Sequence, residues 1–133
     1  MELENIVIGM NAEQEFLVEE QYTAGYVGSG SMYVLATPSL VAFVERVAYN
    51  MLQESLPNGA SNVGSFVEMH HLAPSPAGSI VRVICQVEKI NDRKIQFKFE
   101  AWDIWGKIAE GRHSRVVIDA SRFLHKLENK AIK

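Results

Sequence analysis

Between Thr37 and Leu56 the apolar residues Leu40, Val41, Phe43, Val44, Val47, Ala48, Met51 and Leu52 recur at helical intervals and cover most of a helix circumference. A helix apolar nearly all round needs neighbours on most sides, so the rest of the chain has to wrap it. The wrapping surface is legible downstream, where the apolar period shortens to two. Val63, Val67, Met69 and His71 share one parity, followed by Val81, Val83, Cys85 and Val87, then by Ile95, Phe97, Phe99 and Ala101. Period two marks strands with one buried face. The expected fold class is therefore α+β, an antiparallel sheet wrapped around a central buried helix.

Punctuation agrees with this order. Thr37 before Pro38 predicts a helix start with Thr37 as N-cap and Pro38 at the first helical position, and Pro57-Asn58-Gly59 ends the helix near Leu56. Asn91-Asp92-Arg93 predicts a short hairpin, Asp103 to Gly106 a turn into a last strand from Lys107 to Asp119, and Ala120 to Lys130 a weakly periodic terminal helix. Ahead of the long helix, Gln14 to Thr23 sets Phe16, Val18 and Tyr22 among glutamates and reads as an edge or half-buried strand. Gly25 to Ser31, with Gly25, Gly28 and Gly30, reads as a turn or mobile loop. With no repeat or linker, residues 1–133 are expected to form a single domain.

Charge and composition exclude several functions. A formal net charge of −3 and the lack of a basic block argue against nucleic-acid binding, which needs clustered Lys and Arg. The apolar stretch from Val34 to Leu52 is broken by Thr37-Pro38-Ser39 and Glu45-Arg46, so no membrane span is expected. Glu2 and Glu4 do not fit a secretory signal, and the single cysteine, Cys85, cannot form an internal disulfide; a cytoplasmic protein is expected. His70, His71, His113 and His125 have no metal-ligand spacing, so no metal is expected.

Three polar residues stand out against this apolar frame. Glu45 shares a helix face with Val41, Ala48, Tyr49 and Leu52, with no Lys or Arg three or four residues away. It is either a rim residue reaching water or an acid set toward the core, where its charge is disfavoured unless other groups compensate. His71 has the parity of Met69 and should point at the helix, whereas His70 should point away. An imidazole on an apolar face is often a satisfied core residue, and otherwise an acid/base group. Thr37 is explained by capping alone, although its hydroxyl also sits beside free backbone donors and the positive end of the helix dipole.

The order Thr37, Glu45 eight residues on and His71 twenty-six further, followed by Leu72-Ala73-Pro74-Ser75-Pro76-Ala77-Gly78, resembles the fluoroacetyl-CoA thioesterase branch of the hotdog-fold thioesterases. The resemblance covers Val27 to Phe123 and includes Gly111-Arg112-His113-Ser114-Arg115 and Arg122-Phe123. It implies a hotdog fold, pairing into a homodimer, and a catalytic Thr37, Glu45 and His71 acting on an acyl-CoA. It also implies that the Gly64 N–H helps hold the thioester carbonyl oxygen, and that no cofactor is needed beyond the CoA of the substrate. His113 and Arg115 match a family H-x-R element and are expected to stand behind the site at most. The resemblance departs at Tyr26 to Ser31, which is short and glycine-rich where the named enzyme carries an aromatic lid, so it implies no fluoroacetyl selectivity.

The function expected is acyl-CoA hydrolysis. The alternative is a noncatalytic acyl-CoA or small-ligand binding module on the same fold, which has no need for a Glu and a His aimed at one site. A hotdog hydratase fits less well, because that class carries its Asp and His close together on one segment. Cys85 alternates with Val83 and Val87 and should be an inert buried thiol.

Overall fold

The computed structural model describes residues 3–132; Glu2, part of the amino-terminal stretch considered above, lies outside them. Along the chain run β1 (Asn11–Leu17), a 3₁₀ turn (Glu20–Tyr22), α1 (Ala24–Val27), α2 (Thr37–Glu54), β2 (Ala60–His71), β3 (Ile80–Asn91), β4 (Lys94–Asp103), β5 (Gly106–Asp119) and α3 (Ala120–Ile132). The strands form one antiparallel sheet in the order β1-β3-β4-β5-β2, which leaves β1 and β2 as its edges. The long helix α2 packs against β1, β2, β3 and β5.

Helix and sheet meet through the predicted apolar stripes. Leu40, Phe43, Val44, Val47, Ala48 and Leu52 are buried against Val81, Val83, Val87, Ile95 and Phe97. Phe43 stacks on Phe16 with ring centroids 4.2 Å apart and takes Tyr22 edge-on at 4.9 Å. Its burial alone contributes about 2–3 kcal/mol. The helix is less enclosed than its composition suggests, since Ala42, Arg46, Tyr49 and Asn50 face solvent on the side away from the sheet. Cys85 is fully buried with Val83 and Val87, and burial pushes its thiol up to about 12.

Several local expectations change. Thr37 is the first helical residue rather than the cap: Ala36 takes the cap position, with extended backbone, and its carbonyl accepts the first helical bond from Leu40. Ala36 is fixed there because its N–H bonds the Tyr22 carbonyl while the neighbouring Leu35 N–H bonds Ser75. The first strand starts earlier and ends at Leu17, after which the chain breaks into the 3₁₀ turn. Within Gly25 to Ser31 the backbone makes the single helical turn of α1, stopped by Gly28 in the left-handed region at φ 87°.

The parity of β2 also needs correcting. Gly64 pairs with Arg115 and Phe66 with Ser114, so Ser65 is an extra residue, a β-bulge. Before the bulge the even-numbered residues face α2, as the buried Asn62 and the close approach of Gly64 show. After it the odd-numbered residues do, so Val63 does not share a face with Val67, Met69 and His71.

Candidate active site

His71, at the end of β2, meets Thr37 at the start of α2. The Thr37 hydroxyl and His71 Nδ1 share a hydrogen bond of 2.8 Å, while His71 Nε2 is buried without a partner. With Ala36 as the cap, the hydroxyl makes no capping bond and is available to the imidazole. Burial holds the His71 pKa below the ordinary histidine value, with the Ala73 main chain pulling the other way, so the ring is biased toward the neutral form that can accept a proton. The pair lies in an open cleft of about 310 Å³ lined also by Val34, Leu35, Leu72 and Pro74.

His70 points to the opposite face of the sheet. There it borders a trough of about 470 Å³ with Glu68, Lys98 and Glu110. The trough contains none of Thr37, Glu45, Gly64 or His71, and part of its charge is matched internally: Lys107 lies 2.8 Å from Glu110 and 3.7 Å from Glu100. Its size reflects a solvated sheet face rather than a reaction site.

Glu45 sits two turns along α2 in different company. Its side chain is 45% exposed, and Oε2 lies 3.5 Å from Nη1 of the buried Arg115. The helix therefore supplies no counter-charge, as its sequence indicates, but the last strand does. Gly64 is pressed against the same carboxylate, since a Cβ there would lie 2.9 Å from Oε2. His113 stands behind the guanidinium: Nδ1–H donates to the Phe66 carbonyl at 2.7 Å, which leaves Nε2 to accept from Arg115 at 3.2 Å. Burial, followed at a distance by the Arg115 charge, holds His113 below the ordinary histidine range against the pull of the Phe66 carbonyl and Glu45. Arg115 thus faces Glu45 directly rather than standing behind the site.

The chain brings its polar residues together in two pairs, Thr37 with His71 and Glu45 with Gly64. No hydrogen bond or ion pair among the described residues joins the pairs. Glu45 lies eight positions along the helix from Thr37, a rise of about 12 Å along the axis. Between the pairs β2 runs as a free edge on which Phe66 is 48% and Val67 42% exposed.

Residues 18–121 match the family model described as FlK, fluoroacetyl-CoA-specific thioesterase. A fluoroacetyl-CoA thioesterase from Streptantibioticus cattleyicolor is 27% identical over 97 residues, 73% of this chain and 70% of that protein. A solved structure of the fluoroacetyl-CoA thioesterase FlK is 23% identical, with a TM-score of 0.87 over 94% of this chain and 97% of the other. A hot-dog-like protein from Thermanaerovibrio acidaminovorans, 22% identical, superimposes with a TM-score of 0.89 over 96% of this chain and 94% of its own. A Thermus thermophilus hypothetical protein of the thioesterase superfamily, 27% identical, reaches 0.85 over 94% and 95%. The architecture is the hotdog fold, an antiparallel sheet around a central helix.

Proposed function

Because the chain belongs to the fluoroacetyl-CoA-specific thioesterase family, we propose that it hydrolyses an acyl-CoA thioester to a carboxylic acid and free CoA, using Thr37, Glu45 and His71. The observation that carries this reading is the 2.8 Å bond between Thr37 and a half-buried His71 in an open cleft, with the imidazole biased toward its neutral form. In the reaction the water oxygen bonds to the acyl carbon, the C–S bond breaks, and a proton taken from water reaches the CoA sulfur. His71 carries that proton, Thr37 orients the ring, and the Gly64 N–H stabilises the carbonyl oxygen. Glu45 either takes that proton first, for His71 to deliver to the sulfur, or replaces this direct attack with a covalent route, in which its carboxylate oxygen bonds to the acyl carbon as the C–S bond breaks and water then opens the acyl-Glu45 anhydride. Label in the Glu45 carboxylate after single-turnover hydrolysis in ¹⁸O-water establishes the covalent route with the anhydride opened at Glu45; where label enters the acid product alone, trapping with hydroxylamine distinguishes an acyl-Glu45 anhydride opened at the acyl carbon from direct attack by water. No cofactor beyond the substrate's CoA enters these steps.

The active form in this reading is a homodimer. Antiparallel pairing of two β2 edges would carry the His71 end of one strand toward the Gly64 end of the other. Three observations support it: the open edge, the exposed Phe66 and Val67, and the unpartnered His71 Nε2. Each site would then combine Thr37 and His71 of one copy with the Glu45 and Gly64 region of the other. Among the described residues no helix is long and apolar enough to cross a membrane.

Thiol release measured across short, branched, aromatic and long acyl-CoAs tests the activity. Turnover of at least one is expected. Intact ligand binding with no turnover on any of them would convert the protein into a binding module.

A further inference from the structure

Among the described residues Arg115 is the only buried Arg or Lys, and the groups around it are specific. Its Nε donates to the Asn62 side-chain oxygen, and Nη2 donates to the Asn62 carbonyl at 3.3 Å. Nη1 donates to His113 Nε2 at 3.2 Å and faces Glu45 Oε2 at 3.5 Å, and the Tyr49 ring lies 5.6 Å from the guanidinium carbon. The anchors are themselves anchored. Asn62 donates to Gln53 Oε1 at 3.1 Å, Gln53 donates to the Ala60 carbonyl at 3.0 Å, and His113 is tied to the carbonyl of Phe66, just past the bulge.

A guanidinium is a rigid planar fork, so fixing it from one side by Asn62 and from another by His113 fixes where its remaining charge points. It points at a carboxylate that is nearly half exposed and would otherwise choose among rotamers in water. We propose that Arg115, held by Asn62 and His113, is the positioning residue that fixes the Glu45 carboxylate against Gly64 for thioester hydrolysis. This rests on the function proposed above. A lysine would keep the charge and lose the fork, because its ammonium is a single point that cannot serve Asn62, His113 and Glu45 in those directions together.

The test is a double-mutant cycle on kcat and KM with Glu45→Gln, Arg115→Met and the pair, each checked for fold by circular dichroism. Arg115→Met is expected to lower kcat by about 10²-fold with KM within about threefold, and to add almost nothing in the Glu45→Gln background, since it acts through that carboxylate. A merely structural arginine gives the opposite pattern, in which the two losses multiply. Should Arg115→Met fail to fold, Arg115→Lys reads the same cycle with an expected loss of about 10-fold. Full kcat in the arginine variants, or losses that multiply with that of Glu45→Gln, overturns the inference while leaving the thioesterase reading intact. No turnover by the wild-type protein, or an unaffected Glu45→Gln, overturns both.

Discussion

At the first turn of α2 the Thr37 hydroxyl and the His71 imidazole meet in an open cleft with one ring nitrogen unpartnered, whereas two turns on Glu45 faces a guanidinium each of whose nitrogens already holds a hydrogen bond. The first pair is held by two backbone termini, a helix start and a strand end. The second is held by a buried network joining α2, β2 and β5. An underconnected pair suits groups that must exchange partners during a reaction, and a multiply anchored network suits a group that must stay put. The difference predicts that damage spreads differently from the two places.

The largest effects should come from the ionisable groups. His71→Ala and Glu45→Gln are each expected to lower kcat by about 10²-fold or more, while His70→Ala, on the far face, costs far less. Mixing the two inactive variants after unfolding and refolding them together sharpens the comparison. If each site draws on both copies, half the dimers are mixed and each holds one intact site, so activity returns to about a quarter of wild type. Two sites each built within one chain would return nothing.

Smaller losses should distinguish the two surroundings. Thr37→Ala is expected to reduce kcat about 10-fold while changing stability by less than about 0.5 kcal/mol, because Ala36 rather than Thr37 caps the helix; Thr37→Ser should retain most activity. A stability loss near the roughly 1 kcal/mol typical of a lost cap would contradict the observed helix start. Gly64→Ala should also cost about 10-fold in kcat, by pushing a Cβ into the Glu45 carboxylate, with the circular dichroism spectrum unchanged.

The smallest effect concerns pH. His71 and His113 both have folded pKa values below the ordinary histidine value, chiefly through burial. As pH falls through about 6.5 the unfolded chain takes up protons that the folded one refuses, so stability drops, and it continues to drop until the folded histidines protonate. Urea unfolding at pH 7.5 and 5.5 should show the loss, and His113→Gln should reduce it. An unchanged midpoint would mean that neither histidine is held neutral by the fold.

The frame of this molecule was legible because it rests on periodicity: the 3.6 repeat of α2, the alternation of β3 and β4, and the turn residues around Asp92, whose φ of 57° suits the hairpin. What was not legible depends on contacts between distant segments. Helix spacing examines only neighbours three and four residues away, so it could not find an arginine seventy residues downstream of Glu45. Nothing local marks Ser65 as a surplus residue, since its identity forces no bulge, so plain alternation puts Val63 on the wrong face. Thr37 looked like a cap because Thr before Pro usually is one. The competing anchor came from Tyr22 and Ser75, which position Leu35 and Ala36 from outside the helix. The sequence kept Thr37, Glu45, Gly64 and His71 together as one set, but a single chain delivers them as two pairs.

The bulge at Ser65 gives β2 an asymmetric tolerance to changes in length. Gly64 and His71 face α2 although they lie an odd number of positions apart along the strand, which strict alternation forbids. A strand that already carries one residue too many can lose one: the ladder closes into regular pairing and both positions keep their side. Gaining one residue offers no such escape without a second bulge, because alternation would then turn either Gly64 away from Glu45 or His71 away from Thr37 and bring His70 round in its place. Drift in this lineage should therefore shorten β2 between Gly64 and His71 more readily than it lengthens it.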